Sequence, residues 1–477
     1  MSAPATPAGR AFLFAAAGLL AACSALFEEP AQCKTDEDCG KFAGTVCNTS
    51  GMCEAPGLAR EGSIAPAAPA GVGAAGPAEA TTPPGTPPPV VVETCPTLAS
   101  RPEAALAGGV AAAATDITTD VTLDCNTTSL LRGTVTVQAG ATLTIKAGTV
   151  IKAEQDAALV IAPGAKLVVA GNREQAVVFT SAAAAPAAGQ WKGVAILGKA
   201  PPAGNQNGVD YGGDIDADSS GSLQYVRVEY AAQGLSLLGV GSGTLVDGVQ
   251  VRKTTDNCFT INGGRVDLKH LVCQYPADEM FELNAGYQGR AQFLVGQRTP
   301  TQGGGHHGLL VDNAKLVASN VTLCGADQAN QGRGLMLRNN AAPALSNVIV
   351  RGFAVGMDVM GAQGAPFELK SSVFNGNTTD NVATDENSTD PQSPLFDDDQ
   401  GFNERTFFSD AARKNVETDP GFACFSPTGP SFAPTTQLTG DAPPADAFFE
   451  ATAAYAGAVR DGTGDWTKDA WLRWSAD

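Results

Sequence analysis

Two short segments carry side chains suited to acid–base or metal chemistry, and they nearly repeat. DNCFTIN at 256–262 and DEMFELN at 278–284 share Asp, Phe, an aliphatic residue and Asn at matching positions. QGGGHHG follows at 302–308. If the segments stack, Asp256 lies beside Asp278 with His306 one step further, and Glu279 lies beside His307. Two carboxylates and an imidazole on one edge could hold a divalent cation or share a proton, since adjacent carboxylates drive their pKa values apart. These are the candidate catalytic residues Asp256, Asp278 and His306. Asp and His are also common turn residues, so the alignment has a purely structural explanation as well.

A second acidic stretch, DIDADSSGS at 214–222, puts Asp214, Asp216 and Asp218 at alternate positions. Oxygen ligands at that spacing suit calcium, the one cofactor the sequence suggests. The stretch is no EF-hand: its sixth position is Ser219 rather than Gly, and its twelfth is Tyr225 rather than Glu. A solvated acidic loop is the alternative. Arg227, Arg252 and Lys253 are the candidates for a lyase base near these acids. Glu229 and Arg252 fall at equivalent outward positions of neighbouring repeats, and an ion pair on a surface there would contribute little. The sequence has no nucleophile elbow, phosphate loop or zinc signature.

The elements that must position these groups follow from the repeat. Strand-like segments recur as YVRV at 225, GVQV at 248, HLVC at 270, AQFLV at 291, NVTL at 320 and NVIV at 347. A second series runs in step: GLSLLG at 234, CFTIN at 258, MFELN at 280, GLLVDN at 308 and GLMLRN at 334. Short strands joined by Gly, Asn and Asp turns, with a period near 22 residues, mean a solenoid whose coils stack. A propeller would need a period near 40, and the register is too regular for a sandwich. The reading predicts Phe259 stacked on Phe281 and a ladder of side-chain amides from Asn262 to Asn284. From about 115 to 380 there is room for roughly a dozen coils, a rod of about 50–60 Å.

GATLTIKAGTVIKA, APGAKLVVAGNREQAVVFTS, WKGVAILGKAP, LQYVRVEYA, GVGSGTLVDGVQV and GYQGRAQF together resemble the right-handed parallel β-helix lipoproteins of bacterial envelopes. The resemblance covers about 130 to 380. It touches the end too, where FFEATAAYAGAVRDGTGDWTKDAWLRW looks like that family's closing segment. It implies a pectin-lyase-like β-helix in a family without a well-assigned activity. The wider fold, shared with pectate lyases and tailspikes, holds both enzymes and non-enzymes, so it does not choose between them.

The N-terminus reads as an export signal over 1–22. Arg10 precedes an apolar run too short to span a bilayer, which ends in Leu20-Ala21-Ala22-Cys23. This resembles the lipobox of bacterial lipoproteins, with Cys23 as the lipidated residue, and Ser24 after it favours the outer membrane. Eleven Cys less Cys23 leave an even number. Cys33, Cys39, Cys47 and Cys53 fall in a segment, 23–54, too short for a hydrophobic core and read as two disulfides. The remaining six pair by proximity and remainder as Cys95–Cys125, Cys258–Cys273 and Cys324–Cys424. Residues 55–92 are a Pro-, Ala- and Gly-rich linker that cannot bury enough surface to fold.

The β-helix is expected over 93–380. Beyond it, residues 381–477 abandon the repeat. They hold the acidic run FDDDQGF and an aromatic group of Phe448, Phe449, Tyr455, Trp466, Trp471 and Trp474. An open solenoid end exposes strand edges, so this group is expected to cap it. With formal charge −19, binding to nucleic acid by charge is excluded.

The sequence therefore predicts an all-β, lipid-anchored, capped right-handed parallel β-helix. Its expected role is non-catalytic binding or structure, with a polysaccharide the leading partner. A polysaccharide lyase or hydrolase working at the acidic edge, and an adhesin for a surface protein, are the alternatives.

Overall fold

The computed structural model describes residues 94–475 except 107–115, 207, 299–305, 327–331, 362–365, 385–387, 391–396, 423 and 426–428. It also describes the strands Val46–Cys47 and Cys53–Glu54, which pair antiparallel with Cys47 and Cys53 in register. The export signal, Cys23, Cys33, Cys39 and the linker lie outside the described residues.

The chain winds as a parallel β-solenoid. Each turn adds one rung to a fifteen-stranded sheet and one to a nine-stranded sheet, hereafter the first and second sheets. The second sheet has nine rungs and the main path of the first sheet eleven, so the described residues form about ten turns, slightly fewer than the dozen expected. In the early coils the first sheet is split. Lys166–Ala170 and Val177–Ser181 are separate arms, and both pair with the single strand Gly221–Glu229. From there on the two arms of each coil are joined by one residue. That residue is skipped in the register and adopts a left-handed backbone: Tyr225, Gly248, His270, Phe293, Asn320 and Asn347, with φ between 48° and 77°. A single left-handed residue turns a strand sharply without a loop. The corner therefore repeats at the same place on every rung.

Inward side chains form columns, because parallel in-register strands put equivalent residues one above another. One column runs from Ile145 through Val169, Leu223, Val246 and Leu268 to Leu369. Phe259 stacks on Phe281, with ring centroids 5.3 Å apart and planes 8° from parallel. Each such side chain gains roughly 1.5–3 kcal/mol from burial, and only a neighbouring coil can bury it. Asn262 and Asn284 are in register, but their amides form no ladder. Asn284 Nδ2 turns to Glu282 instead, at 2.9 Å, and Asn262 Oδ1 is buried without a hydrogen-bond partner.

Coil contact is so close at Gly193 (φ +108°) that a Cβ there would sit 1.8 Å from the Gln233 carbonyl oxygen. Gly193→Ala should therefore cost about 2 kcal/mol or more, read as a lowered urea midpoint.

The end of the rod is closed differently from the expectation. The helix Glu404–Ser409, capped by Asn403, drops Phe408 onto the last coil beside Phe374, ring centroids 4.6 Å apart. Phe402 and Phe407 pack on Phe367. These Phe rings continue the apolar columns of the coils past the last rung, and so close the end. The Trp group instead lies along the flank of the first sheet, on the left-handed corner residues. Trp471 meets Tyr225 edge-on at 5.8 Å, and Trp466 meets His270 at 5.1 Å. Asn320 Nδ2 donates to the carbonyls of Ala453 and Tyr455 at 3.0 and 2.8 Å, and Asn347 Nδ2 to that of Asp441 at 2.8 Å. The corner side chains thus form a rail for a C-terminal strap.

The strap is stitched by the disulfide Cys324–Cys424, while Cys95–Cys125 and Cys258–Cys273 tie the coils. It also changes the character of the Glu229–Arg252 pair. The two are in register, but both are buried, at 2% and 0% exposure. Arg227 Nε lies 3.0 Å from Glu229 Oε1, and Arg252 donates to the Ser475 carbonyl. This is a sealed charge cluster, not a surface pair. Arg227, Arg252 and the nearby Lys253 do not join the acidic edge.

Candidate functional site

Stacking delivers the acidic edge as a two-column array. The register that sets Phe259 on Phe281 and Phe281 on Leu309 carries Asp256, Asp278 and His306 into one column and Asn257, Glu279 and His307 into the next. Ligand atoms of Asp278, Glu279 and His306 lie within 4.8 Å of one another. Among the described residues this is the one such group of three. His306 Nδ1 pairs with Asp278 Oδ1, and both side chains are about a third exposed, so a ligand can reach them. Asp256 adjoins the group, its side chain reaching Asp278, but it is not one of the three whose ligand atoms converge. Its carboxylate is held by Gln233 Nε2 at 3.2 Å and by the Asn257 backbone amide at 3.0 Å.

The two adjacent carboxyls divide their ionisation. Burial, then the hydrogen bond to Asp278 and its charge, push Glu279 up to about 8. Burial also works against Asp278, but hydrogen bonding from Glu279 and the charge and hydrogen bond of His306 outweigh it and hold Asp278 below its ordinary value. At neutral pH Glu279 therefore keeps its proton and donates it to an ionised Asp278. His307 takes no part as a cation. Burial, with Arg333 and Arg338 nearby, lowers it to about 3, and its Nδ1 accepts from the Arg333 backbone amide at 3.3 Å.

Two supporting residues were missed in the sequence. Asn257 shares the Glu279 column. Its Oδ1 accepts from the Glu279 amide at 3.0 Å, and its Nδ2 donates to Glu282 Oε2 at 2.6 Å. The aligned DN and DE pairs were the available signal. Arg298 is wholly buried behind the edge and donates to the Asp278 carbonyl at 3.3 Å. A lone Arg at the end of an apolar strand was the only mark it left.

As a cation site, Asp278, Glu279 and His306 supply two oxygens and a nitrogen. Binding there must displace the Glu279 proton and the His306 hydrogen bond, beside a buried guanidinium. The edge is better suited to sharing protons with a neutral ligand.

The loop at 214–222 is not a convergent site. Asp216 is paired with Arg265 at 2.7 Å, and Asp218 Oδ2 accepts from the Lys199 amide at 3.0 Å. With two of the three carboxylates turned to different protein partners, Asp214, Asp216 and Asp218 do not face one ion.

A family model described as a pectate-lyase-like β-helix domain matches residues 115–418. The chain belongs to this family. The pectate-lyase-like β-helix match runs through the closing helix and stops short of the strap. No curated protein and no solved structure matches the chain. The β-helix domain fits a protein that engages glycans, and its columns and corner are those of the right-handed fold the sequence resembles. No helix among the described residues is long and apolar enough to cross a membrane.

Asp278→Asn removes the charge that helps hold the Glu279 proton. The Glu279 carboxyl should then titrate lower, though still above an ordinary glutamate because burial remains. Carbon-13 NMR titration of the labelled carboxyl checks it.

Proposed function

We propose that this protein is a lipid-anchored module of the bacterial outer membrane that binds a polysaccharide without cleaving it. Its polar contact is the Asp278–Glu279–His306 edge. One observation carries the non-catalytic reading: carboxyl oxygens of Asp278 and Glu279 lie within 4.8 Å of each other, close enough to share a proton. Retaining glycosidases hold their carboxyls about 5–5.5 Å apart and inverting ones about 6.5–9.5 Å, leaving space for the scissile bond or a water. This pair leaves none. A protonated carboxyl, an ionised one and an imidazole at the surface do supply donors and acceptors for sugar hydroxyls. The β-helix family supports a glycan, and Leu20-Ala21-Ala22-Cys23 supports the anchor.

A second reading is favoured by the split ionisation: a hydrolase with Glu279 as general acid. The test incubates a soluble form beginning at Ser24 with acidic and neutral polysaccharides, following co-sedimentation and polymer size. Retention of a polymer at constant size supports binding. Shortening of a polymer, lost in Glu279→Gln, makes the protein an enzyme. Neither outcome with any polymer points to a protein partner.

The pH dependence has a definite sign. Glu279 donates only while protonated, so retention should be full near pH 6 and fall several-fold by pH 9 as Glu279 titrates near 8. Glu279→Gln keeps a donor and should flatten that profile.

A further inference from the structure

Among the described residues Arg298 is the one guanidinium with two buried nitrogens, Nε and Nη2, that lack a hydrogen-bond partner. The side chain is 0% exposed, and its Nη1 reaches the Asp278 backbone carbonyl rather than a carboxylate. Burial works against its charge, and the charges that favour it are those of Glu279 first and then Asp278. A buried cation held this way is costly, and it would gain a charge-assisted hydrogen bond by turning to either carboxyl.

What holds it back is the end of the strand Arg290–Gln297. Gln297 is in register with Cys324 on the next rung. The Arg298 backbone amide donates to the Cys324 carbonyl at 2.9 Å, and Gln297 Nε2 donates to the Cys424 carbonyl. The disulfide joins those two acceptors covalently. One cysteine belongs to a coil and the other to the strap. The root of the Arg298 side chain is therefore gripped by both halves of one bond.

We infer that the Cys324–Cys424 disulfide is a latch that regulates the glycan edge. While it is intact, Arg298 is held off the Asp278 and Glu279 carboxyls, and they are left to the sugar. When it is broken, the guanidinium turns to those carboxyls and takes them out of use. The inference rests on the glycan reading of that edge. It needs no wire through the fold, only one charge with two discrete sets of partners, whose balance the bond tips. Breaking the bond takes two electrons and two protons. A dithiol supplies them as it closes to its own disulfide, and the protein keeps two thiols.

The test compares the full chain with Cys324→Ser/Cys424→Ser. This variant breaks the latch without touching Cys258–Cys273, which lies against the edge through the 3.1 Å bond from the Cys258 amide to the Glu279 carbonyl. Affinity for the retained polymer should fall at least tenfold, and adding Arg298→Met should recover most of it. Cys324→Ala/Cys424→Ala, which buries no hydroxyl, should repeat both results. The Arg298 Nε proton resonance, assigned by its loss in Arg298→Met, should move downfield when the latch is broken, as a charge-assisted hydrogen bond requires. Wild-type affinity in both double variants overturns the proposal. A loss that Arg298→Met does not recover overturns it too, because a loosened strap then disturbs the edge without Arg298. Should the wild type retain no polymer, the glycan reading fails, and the resonance still decides the latch: unmoved, it overturns the inference.

Discussion

Phe281→Ala should lower the stability of the solenoid by about 3–5 kcal/mol. The ring is 1% exposed and stacked between Phe259 and the Leu309 rung, so truncation leaves a cavity inside the column. The coil has no other way to bury its face, and neighbouring coils cannot collapse into the gap without losing register. Solenoids are stabilised by nearest-neighbour interfaces, so the loss falls on two interfaces at once. Urea unfolding checks it. A midpoint within error of wild type would mean that the coils do not depend on stacked side chains for cohesion. Phe281→Leu keeps most of the volume and should cost far less.

Replacing Cys324 and Cys424 together by Ser should cost up to about 4.7 kcal/mol on the chain-entropy account. The bond closes a segment of 100 residues, the longest of the three described disulfide loops. The effect should be local. The strap keeps its contacts through Asn320, Asn347 and Gln250, the last exchanging two bonds of 2.9 Å with the Arg473 backbone. Hydrogen exchange should therefore quicken across 432–475 while the inner strands, such as Phe259–Asn262, keep their protection. Uniform loss across strap and coils would show that the strap is part of the rod's cooperative unit.

The coil period was legible because inward residues must repeat when coils stack. The same alignment places Asp278 beside His306. It even marked the corner: YVRV, GVQV, HLVC, NVTL and NVIV each begin on the left-handed residue. The corner's purpose was not legible, since nothing in Asn320 or Asn347 names the distant backbone that they bind. For the same reason Glu229 and Arg252 read as a surface pair. Outward on a rung means exposed only where no strap crosses it, and the strap arrives from more than 200 residues further along the chain. The cap was misplaced because aromatic content alone does not tell an end from a flank. The ionisation of Glu279 depends on burial as well as on its neighbour, and burial at an edge is set by three coils together.

The central claim is that the Asp278–Glu279–His306 edge is where this β-helix meets a glycan. The most direct test is affinity electrophoresis through gels cast with the polymer that the protein retains, comparing wild type with Asp278→Asn and His306→Gln. The account predicts that both variants fold as wild type by circular dichroism and lose at least tenfold in affinity. Unchanged retardation in both variants would contradict it and place the glycan elsewhere on the rod.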